Sequence, residues 1–287
     1  MMNFWRPLLI ALALIGGTTQ TAWAGQTPSE ALILAVHPYL PAPEIHRRFG
    51  PLASHLGRAL GRPVQVRVGQ DYDQHIAAIG HDQVDIAFLG PASYVRMDDR
   101  YGRKPILARF QVGDDPHLYG VIAVRQDSPV QRLTDLRGRR FAFADPESTM
   151  GHLVPRHMLL QAGLPLDALG QYRYLGSHRN VALGVLAGDF DAGAMKREVF
   201  DEFAAHGLRA LALSPPSPDH LFVTRATLPT ADVARLRQAM LTLQAQPGGR
   251  DLLKRLHPGL TALVAGSDGD YDGLRAIVRA VDGTSRP

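Results

Sequence analysis

The sequence predicts an α/β protein of two lobes, joined by a hinge of two chain segments, with a ligand cleft between them. Three observations carry this expectation. Short apolar or β-branched runs alternate with segments of helical period from Leu32 onward, the alternation falls into two series that part near His117–Tyr119, and a helical tail follows the second series. Alternation of this kind is the mark of parallel sheets with helices on their faces.

In the first series, Ile33–Val36 reads as a strand, Glu44–Leu60 as a helix, Val64–Val68 as a strand, Asp73–Ile79 as a helix and Ile86–Leu89 as a strand. Gly61-Arg62-Pro63 and Gly90-Pro91 punctuate it. The second series gives strands at Val121–Val124, Phe141–Ala144, Tyr172–Leu175 and Ala192–Met195. Helices at Leu133–Leu136, Gly151–Ala162, Val181–Ala187 and Val199–Ala205 separate and follow them.

The chain then crosses Leu211–Pro218, shows one more extended run at Leu221–Thr224, and ends in helical segments at Ala231–Ala245, Asp251–Leu256 and Tyr271–Val281. If this tail packs back on the first lobe, the chain crosses between the lobes twice, near His117–Tyr119 and near His220–Arg225, and a double crossing is a hinge. The expected division is 25–118 with 224–287 for the first lobe and 119–223 for the second.

Residues 1–24 read as a cleavable signal peptide. The apolar run Pro7–Ile15 is shorter than the roughly 20 residues that span a bilayer, and the small residues Ala22 and Ala24 suit cleavage before Gly25. The chain has no Cys. That removes a lipid anchor, disulfides, thiolate zinc sites and cysteine nucleophiles together.

Lys and Arg total 31 against 27 Asp and Glu, a net charge of +4. The basic residues stand in scattered pairs, such as Arg47-Arg48, Arg139-Arg140 and Lys196-Arg197, so nucleic acid is not an expected partner. The twelve His are also scattered, with His46, His55 and His81 on segments that read as solvent-facing, and no metal site is expected. No Gly-x-Ser-x-Gly elbow, His-Glu-x-x-His helix or phosphate loop with a following Lys occurs. No enzyme and no cofactor are therefore expected.

In an open α/β sheet, ligands sit beyond the carboxyl ends of strands, where helix N-termini gather. The run Asp145-Pro146-Glu147-Ser148-Thr149-Met150-Gly151 offers hydroxyls and free backbone N–H groups at a helix start, as an anion cradle does. Ser and Thr are also the preferred N-caps whether or not anything binds, and both readings stand at this point. Gly176-Ser177-His178 opens another helix, and the next strand ends in Met195-Lys196-Arg197. Two cations at a helix N-terminus oppose the macrodipole unless an anion or an acidic neighbour such as Glu198 compensates. Across the presumed cleft, Gly90-Pro91-Ala92-Ser93-Tyr94 and His37-Pro38-Tyr39 bring tyrosines to strand ends, where they either close a pocket or pack in the core.

These segments resemble the phosphonate- and phosphite-binding proteins of ABC transporters, over almost all of the chain after the signal. Phe49-Gly50-Pro51-Leu52, Asp71-Tyr72, Val84 through Pro91 with Ser93-Tyr94, and Leu136-Arg137-Gly138 carry the resemblance. So do Ser148-Thr149-Met150-Gly151 with Val154-Pro155, Gly176-Ser177-His178, Asp191 through Ala194, and Ser214-Pro215-Pro216.

The resemblance implies the type II periplasmic-binding-protein fold, a periplasmic location, a small anionic ligand, an ABC transporter permease or a membrane sensor as partner, and a monomer. It places the anion on Ser148, Thr149 and His178, with Tyr94 and Tyr39 on the opposite wall. Two departures matter. Met150 stands where a third small hydroxyl residue is common, and it either costs a hydrogen bond or uses only its backbone N–H. Lys196-Arg197 stands where an aminophosphonate carrier would offer an acid, with either residue able to face the cleft, which favours a compact oxyanion such as phosphate or phosphite.

Overall fold

A computed structural model of the chain describes residues 1–2 and 30–283. The expected signal segment, from Asn3 onward, lies outside the described residues.

The first lobe opens with β1 (Leu32–Val36), α1 (Ala42–Leu60), β2 (Val64–Val68), α2 (Tyr72–Gly80), β3 (Ile86–Leu89), α3 (Pro91–Tyr101) and β4 (Ile106–Val112). A short strand, β5 (His117–Leu118), leads to β6 (Gly120–Arg125), β7 (Arg140–Phe143), α4 (Val154–Gln161), β8 (Gln171–Tyr174), α5 (His178–Leu186), β9 (Ala192–Lys196), α6 (Arg197–Ala204) and β10 (Leu208–Leu213). The chain returns through β11 (Ser217–Pro218) to β12 (Leu221–Thr224), α7 (Thr230–Leu241), α8 (Gly249–Leu256), β13 (Leu260–Val264) and α9 (Asp272–Gly283).

Six strands form one sheet in the order β13-β4-β12-β3-β1-β2, and five form the other in the order β10-β6-β9-β7-β8. Burial explains their places. Ile86-Ala87-Phe88-Leu89 is buried throughout, as an interior strand covered on both faces must be. The edge strand Val64-Gln65-Val66-Arg67-Val68 instead alternates between half-buried and exposed. On α1, Ile45, Phe49, Leu52, Leu56 and Leu60 recur every three or four residues and press one face onto the first sheet.

The sheets are mixed, which corrects the expectation of parallel sheets. β1 pairs in parallel with β2 and β3, and β7 with β8 and β9. β12 runs antiparallel to β3 and β4, β13 to β4, β6 to β9, and β10 to β6. The strands that bring the chain into a sheet from the hinge, β6 and β12, run opposite to those built through helical crossovers, whereas β4 and β10, which lead the chain out, keep the common sense. The pattern also passed over α3, β4, β10 and β13.

β5 and β11 pair antiparallel, Leu118 with Ser217 and His117 with Pro218, as a two-stranded ribbon between the sheets. The return crossing therefore precedes His220, and the fully buried β12 belongs to the first sheet. This moves residues 221–223 out of the second lobe, where the expected division put them. Gly120 ends the first crossing because a Cβ there would stand 3.1 Å from Met150 Sδ and 3.2 Å from Met150 Cβ.

Of the tail, α7 and α8 pack on α1, whereas α9 packs on α3 and also on α4 of the second lobe. One core cluster is shared across the lobes: Met150, Leu153 and Val154 meet Tyr94, Val95, Tyr271 and Val278. Arg96 of α3 pairs with Glu147 of the second lobe and, at 3.2 Å, with Asp282 of α9. The halves are thus closed on one another.

Candidate functional site

Three helix starts meet where the lobes face each other. They follow β3 at Gly90-Pro91, β7 at Ser148, and β8 at Ser177. The walls enclose a cavity of about 80 Å³. That volume exceeds what one water requires and suits a solute of a few heavy atoms. A larger hollow, about 890 Å³, lies on the outer face of the first lobe beside α1, α7 and α8, away from the strand ends.

On the second-lobe wall, Thr149–Leu153 makes a π-helical turn ahead of α4, with Leu153 N–H donating to Ser148 O and Val154 N–H to Thr149 O. Turns of this kind recur at functional sites. Ser148 caps the turn by accepting from Gly151 N–H at 3.0 Å. Only glycine fits at 151, since a Cβ would stand 2.4 Å from Ala144 Cβ and 2.8 Å from Ser148 Oγ.

Thr149 Oγ1 accepts from Ala92 N–H of α3 at 3.0 Å, tying the two walls together. His152 steadies the loop from behind. Its Nδ1–H donates to Pro146 O at 2.6 Å and its Nε2 accepts from Tyr174 Oη–H at 2.9 Å, while burial pushes its pKa down to about 4.

His178 is buried against Ser148, Oγ to Nε2 3.4 Å. Its Nδ1 accepts from the Lys196 backbone N–H at 3.3 Å. An amide nitrogen can only donate, so Nδ1 is the bare nitrogen and Nε2 carries the proton. Burial, with Lys196 and His220 nearby, pushes this imidazole down to about 3.

The first-lobe wall carries two further imidazoles. His37 Nδ1–H donates to Phe88 O at 3.2 Å, and His220 Nδ1–H to Asp219 Oδ1 at 2.7 Å. Both acceptors lack protons, so each Nε2 is a lone pair. The rings stack at 5.7 Å, 19° apart. Burial holds both below the ordinary imidazole range, and Lys196 adds to the shift. Ser93 sits beside them, buried, with no hydrogen-bond partner for its Oγ among the described residues.

Of the residues expected from the sequence, Tyr39, Ser148, Thr149, Met150, His178 and Lys196 line this cavity. Met150 turns its side chain to the hinge, where Ser214 Oγ–H donates to its Sδ at 3.7 Å, so only its backbone is available to a solute. Lys196 faces the cavity, while Arg197 is exposed and pairs with Asp201 at 3.6 Å. Glu198 does not neutralise Lys196 by contact. It accepts from His257 at 3.2 Å, and although burial opposes ionisation, that bond and the charge of Lys196 hold its carboxyl at about 2.

Tyr94 is corrected. It is fully buried, packs against Tyr271 with the rings 4.8 Å apart and tilted by 56°, and donates to Asp268 at 2.8 Å. One residue along a helix turns the side chain by about 100°, so Ser93 faces the cavity and Tyr94 faces the core. Sequence reasoning missed Ser93, His37 and His220 as wall residues. The signal for the first two was present, because Ser93 directly adjoins Tyr94 and His37 stands two residues before Tyr39, both tyrosines that were singled out.

Residues 34–271 match the family model described as ABC transporter, phosphonate, periplasmic substrate-binding protein. The chain is 26% identical over 196 residues to the phosphate-import protein PhnD of Mycolicibacterium smegmatis, covering 64% of this chain and 61% of that protein. It is 26% identical over 217 residues to the phosphonates-binding periplasmic protein of Escherichia coli, covering 72% of this chain and 64% of the relative. The matches thus span slightly under two thirds of these relatives. PhnD1 of Prochlorococcus marinus, solved in complex with methylphosphonate, superposes with a TM-score of 0.77 at 21% identity, over 88% of this chain and 98% of that one. The chain has the periplasmic-binding-protein fold, and it belongs to the family of periplasmic substrate-binding proteins of phosphonate ABC transporters.

Proposed function

We propose that this protein captures a small phosphorus oxyanion, such as phosphate, phosphite or a short phosphonate, between its lobes and presents the closed form to the permease of an ABC transporter at the periplasmic face of the membrane. The observation that carries this reading is the set of donors aimed at one small cavity. The N–H groups of Thr149 and Met150 and the hydroxyls of Ser148 and Thr149 have their carbonyl ends or acceptor sides engaged by the protein, which leaves hydrogens for a solute, and the Nε2–H of His178, at a long 3.4 Å from Ser148 Oγ, is shared between that oxygen and a solute. Helix N-termini add favourable potential, and Lys196 brings a full positive charge.

Charge-assisted hydrogen bonds contribute roughly 1.5–3 kcal/mol each. Four or five of them support a micromolar constant after the ordering cost. Lys196 disfavours a solute bearing an amine. The paired crossings β5 and β11 supply the hinge in this reading, with Gly120 at one end.

The reading is of binding without turnover. Ser148 and His178 stand as a hydroxyl and an imidazole do in a nucleophilic pair, but the Lys196 amide fixes the proton on the nitrogen facing Ser148. A general base needs that nitrogen bare. His178 is thus a donor to an anion.

The test is titration calorimetry with inorganic phosphate, phosphite and methylphosphonate on the full chain and on Ser148→Ala and His178→Ala. At least one anion binds the parent, and each variant weakens it about tenfold or more. Equal binding by parent and variants would place the site elsewhere, and conversion of any of the three anions by the purified protein would overturn the absence of turnover.

A further inference from the structure

The cavity walls are not alike, and the first-lobe wall has a property that anion capture alone does not require. A site for a fully deprotonated anion needs donors throughout. His37 and His220, however, spend their N–H groups on Phe88 O and on Asp219, and both rings line the cavity. Neither Nε2 is among the buried atoms left without a partner, unlike His75 Nδ1 behind them, so each opens onto the hollow. His220 Nε2 and Ser93 Oγ both border the space beside Gly90: a Cβ built on Gly90 would be 3.8 Å from the first and 3.9 Å from the second.

We propose that the inner nitrogens of His37 and His220 accept a hydrogen bond from the solute itself, so that the cleft selects oxyanions that retain an O–H near neutral pH and rejects those of the same shape and charge that do not. This rests on the anion-capture reading of the same cavity. The monoanions of phosphate, phosphite and phosphonates each carry an O–H, and that form is populated at and below the second ionisation of a phosphoryl group, near pH ~6. Sulfate and sulfonates keep none. An aprotic oxygen set against a bare imidazole nitrogen brings two lone pairs together in a desolvated site, which is repulsive discrimination.

The groups around the two rings favour the neutral form. Lys196 faces both, His75 faces His37, and each ring faces the other. The rings of Tyr39 and Tyr72 lie tilted against His37 at 4.9 and 5.1 Å. Against these, Asp219 and Glu198 favour charge on His220. The wall also includes the half-buried Asp145, whose Oδ1 accepts from Glu147 N–H at 2.8 Å.

Methylphosphonate and methanesulfonate provide the test, because at about pH 5.5, below the second phosphoryl ionisation, both are chiefly monoanions of nearly one shape and only the first carries an O–H. Calorimetry on the full chain is expected to show at least a hundredfold preference for methylphosphonate. His220→Phe, which keeps the stacking, should cut that preference at least tenfold, whereas Ser148→Ala should weaken methylphosphonate and leave the selectivity standing. Circular dichroism verifies that the variants fold, and the two-ligand comparison on the parent needs no variant.

Affinities within threefold on the parent would overturn the proposal, since imidazoles that became charged on binding would hold the sulfonate equally well. So would a preference that survives His220→Phe and vanishes in Asp145→Asn. If both anions bind alike and Ser148→Ala weakens both, this inference fails while anion capture stands. If neither binds, this inference fails, and anion capture falls with it only if inorganic phosphate and phosphite also fail to bind.

Discussion

The two walls of the cleft meet the same solute with opposite hydrogen-bonding characters. On the second lobe, Ser148, Thr149 and His178 each have an acceptor atom occupied by a backbone N–H, from Gly151, Ala92 and Lys196 in turn, and so present hydrogens. On the first lobe, His37 and His220 have their N–H groups occupied by Phe88 O and Asp219, and so present lone pairs. The same residue type, histidine, is a donor on one wall and an acceptor on the other. Its role is set by which nitrogen the fold engages. On the proposed reading, the second-lobe wall recognises charge, and the first-lobe wall recognises where the proton is.

The largest expected effect strikes the donor wall alone. Gly151→Val pushes a branched side chain into Ala144 and Ser148 and against His178 Cε1, 3.0 Å from the Cβ position. Methylphosphonate binding by calorimetry should fall at least a thousandfold, with a loss of stability alongside. Retained binding would mean that the π turn is not part of the site.

Next in size is a pH effect that both walls share. His178 is held at about 3, and His75 and His152 at about 4, each chiefly by burial, and His37 and His220 are lowered as well. An unfolded chain takes up protons on these rings as pH drops below ~6.5, and the folded chain does not. Stability is therefore fully present above that pH and is lost as pH falls toward the folded values, at up to ~1.4 kcal/mol per pH unit for each ring. Thermal melts of the ligand-free protein between about pH 7 and pH 5 should show Tm falling steadily. A flat profile would mean that the rings are charged in the fold, and the contrast between walls would collapse with it.

Lys196→Met should produce a smaller change, about tenfold weaker binding of inorganic phosphate, equivalent to ~1.4 kcal/mol. The cation stands beside both walls and contributes attraction without choosing a protonation state. The preference of methylphosphonate over methanesulfonate should therefore remain within about twofold of the parent value. A collapse of that preference would assign selectivity to the cation instead of the imidazoles.

How much of this was legible in the chain follows the same division. Ser148, Thr149 and His178 stand directly where a strand hands over to a helix, and local rules are enough to find such positions. The acceptor wall depends on Phe88, Asp219 and His220, which come together only because β12 lies beside β3, and no local pattern encodes that pairing. β4 and β10 were passed over because arginines interrupt their apolar runs at Arg109 and Arg209. Both arginines bond backbone carbonyls, of Ala265 and Pro116 in one case and of Ser128 and Val130 in the other. A charged residue so engaged sits in a strand without the exposed face that alternation leads one to expect.

The smallest effect belongs to Tyr94→Phe, and it tests whether the first-lobe wall ends at Ser93. The phenol donates to Asp268, which also accepts from Arg275 at 2.8 Å and pairs with Arg103 at 2.5 Å. Removing the hydroxyl leaves that carboxylate satisfied, and the ring keeps its contact with Tyr271. The cost should be about 1 kcal/mol, a Tm decrease of roughly 2–4 °C for a chain of this size, with affinity for methylphosphonate unchanged within twofold. A tyrosine that lined the cavity would show the reverse, a loss of affinity with little loss of stability, so the two readouts together decide which side of α3 confronts the solute.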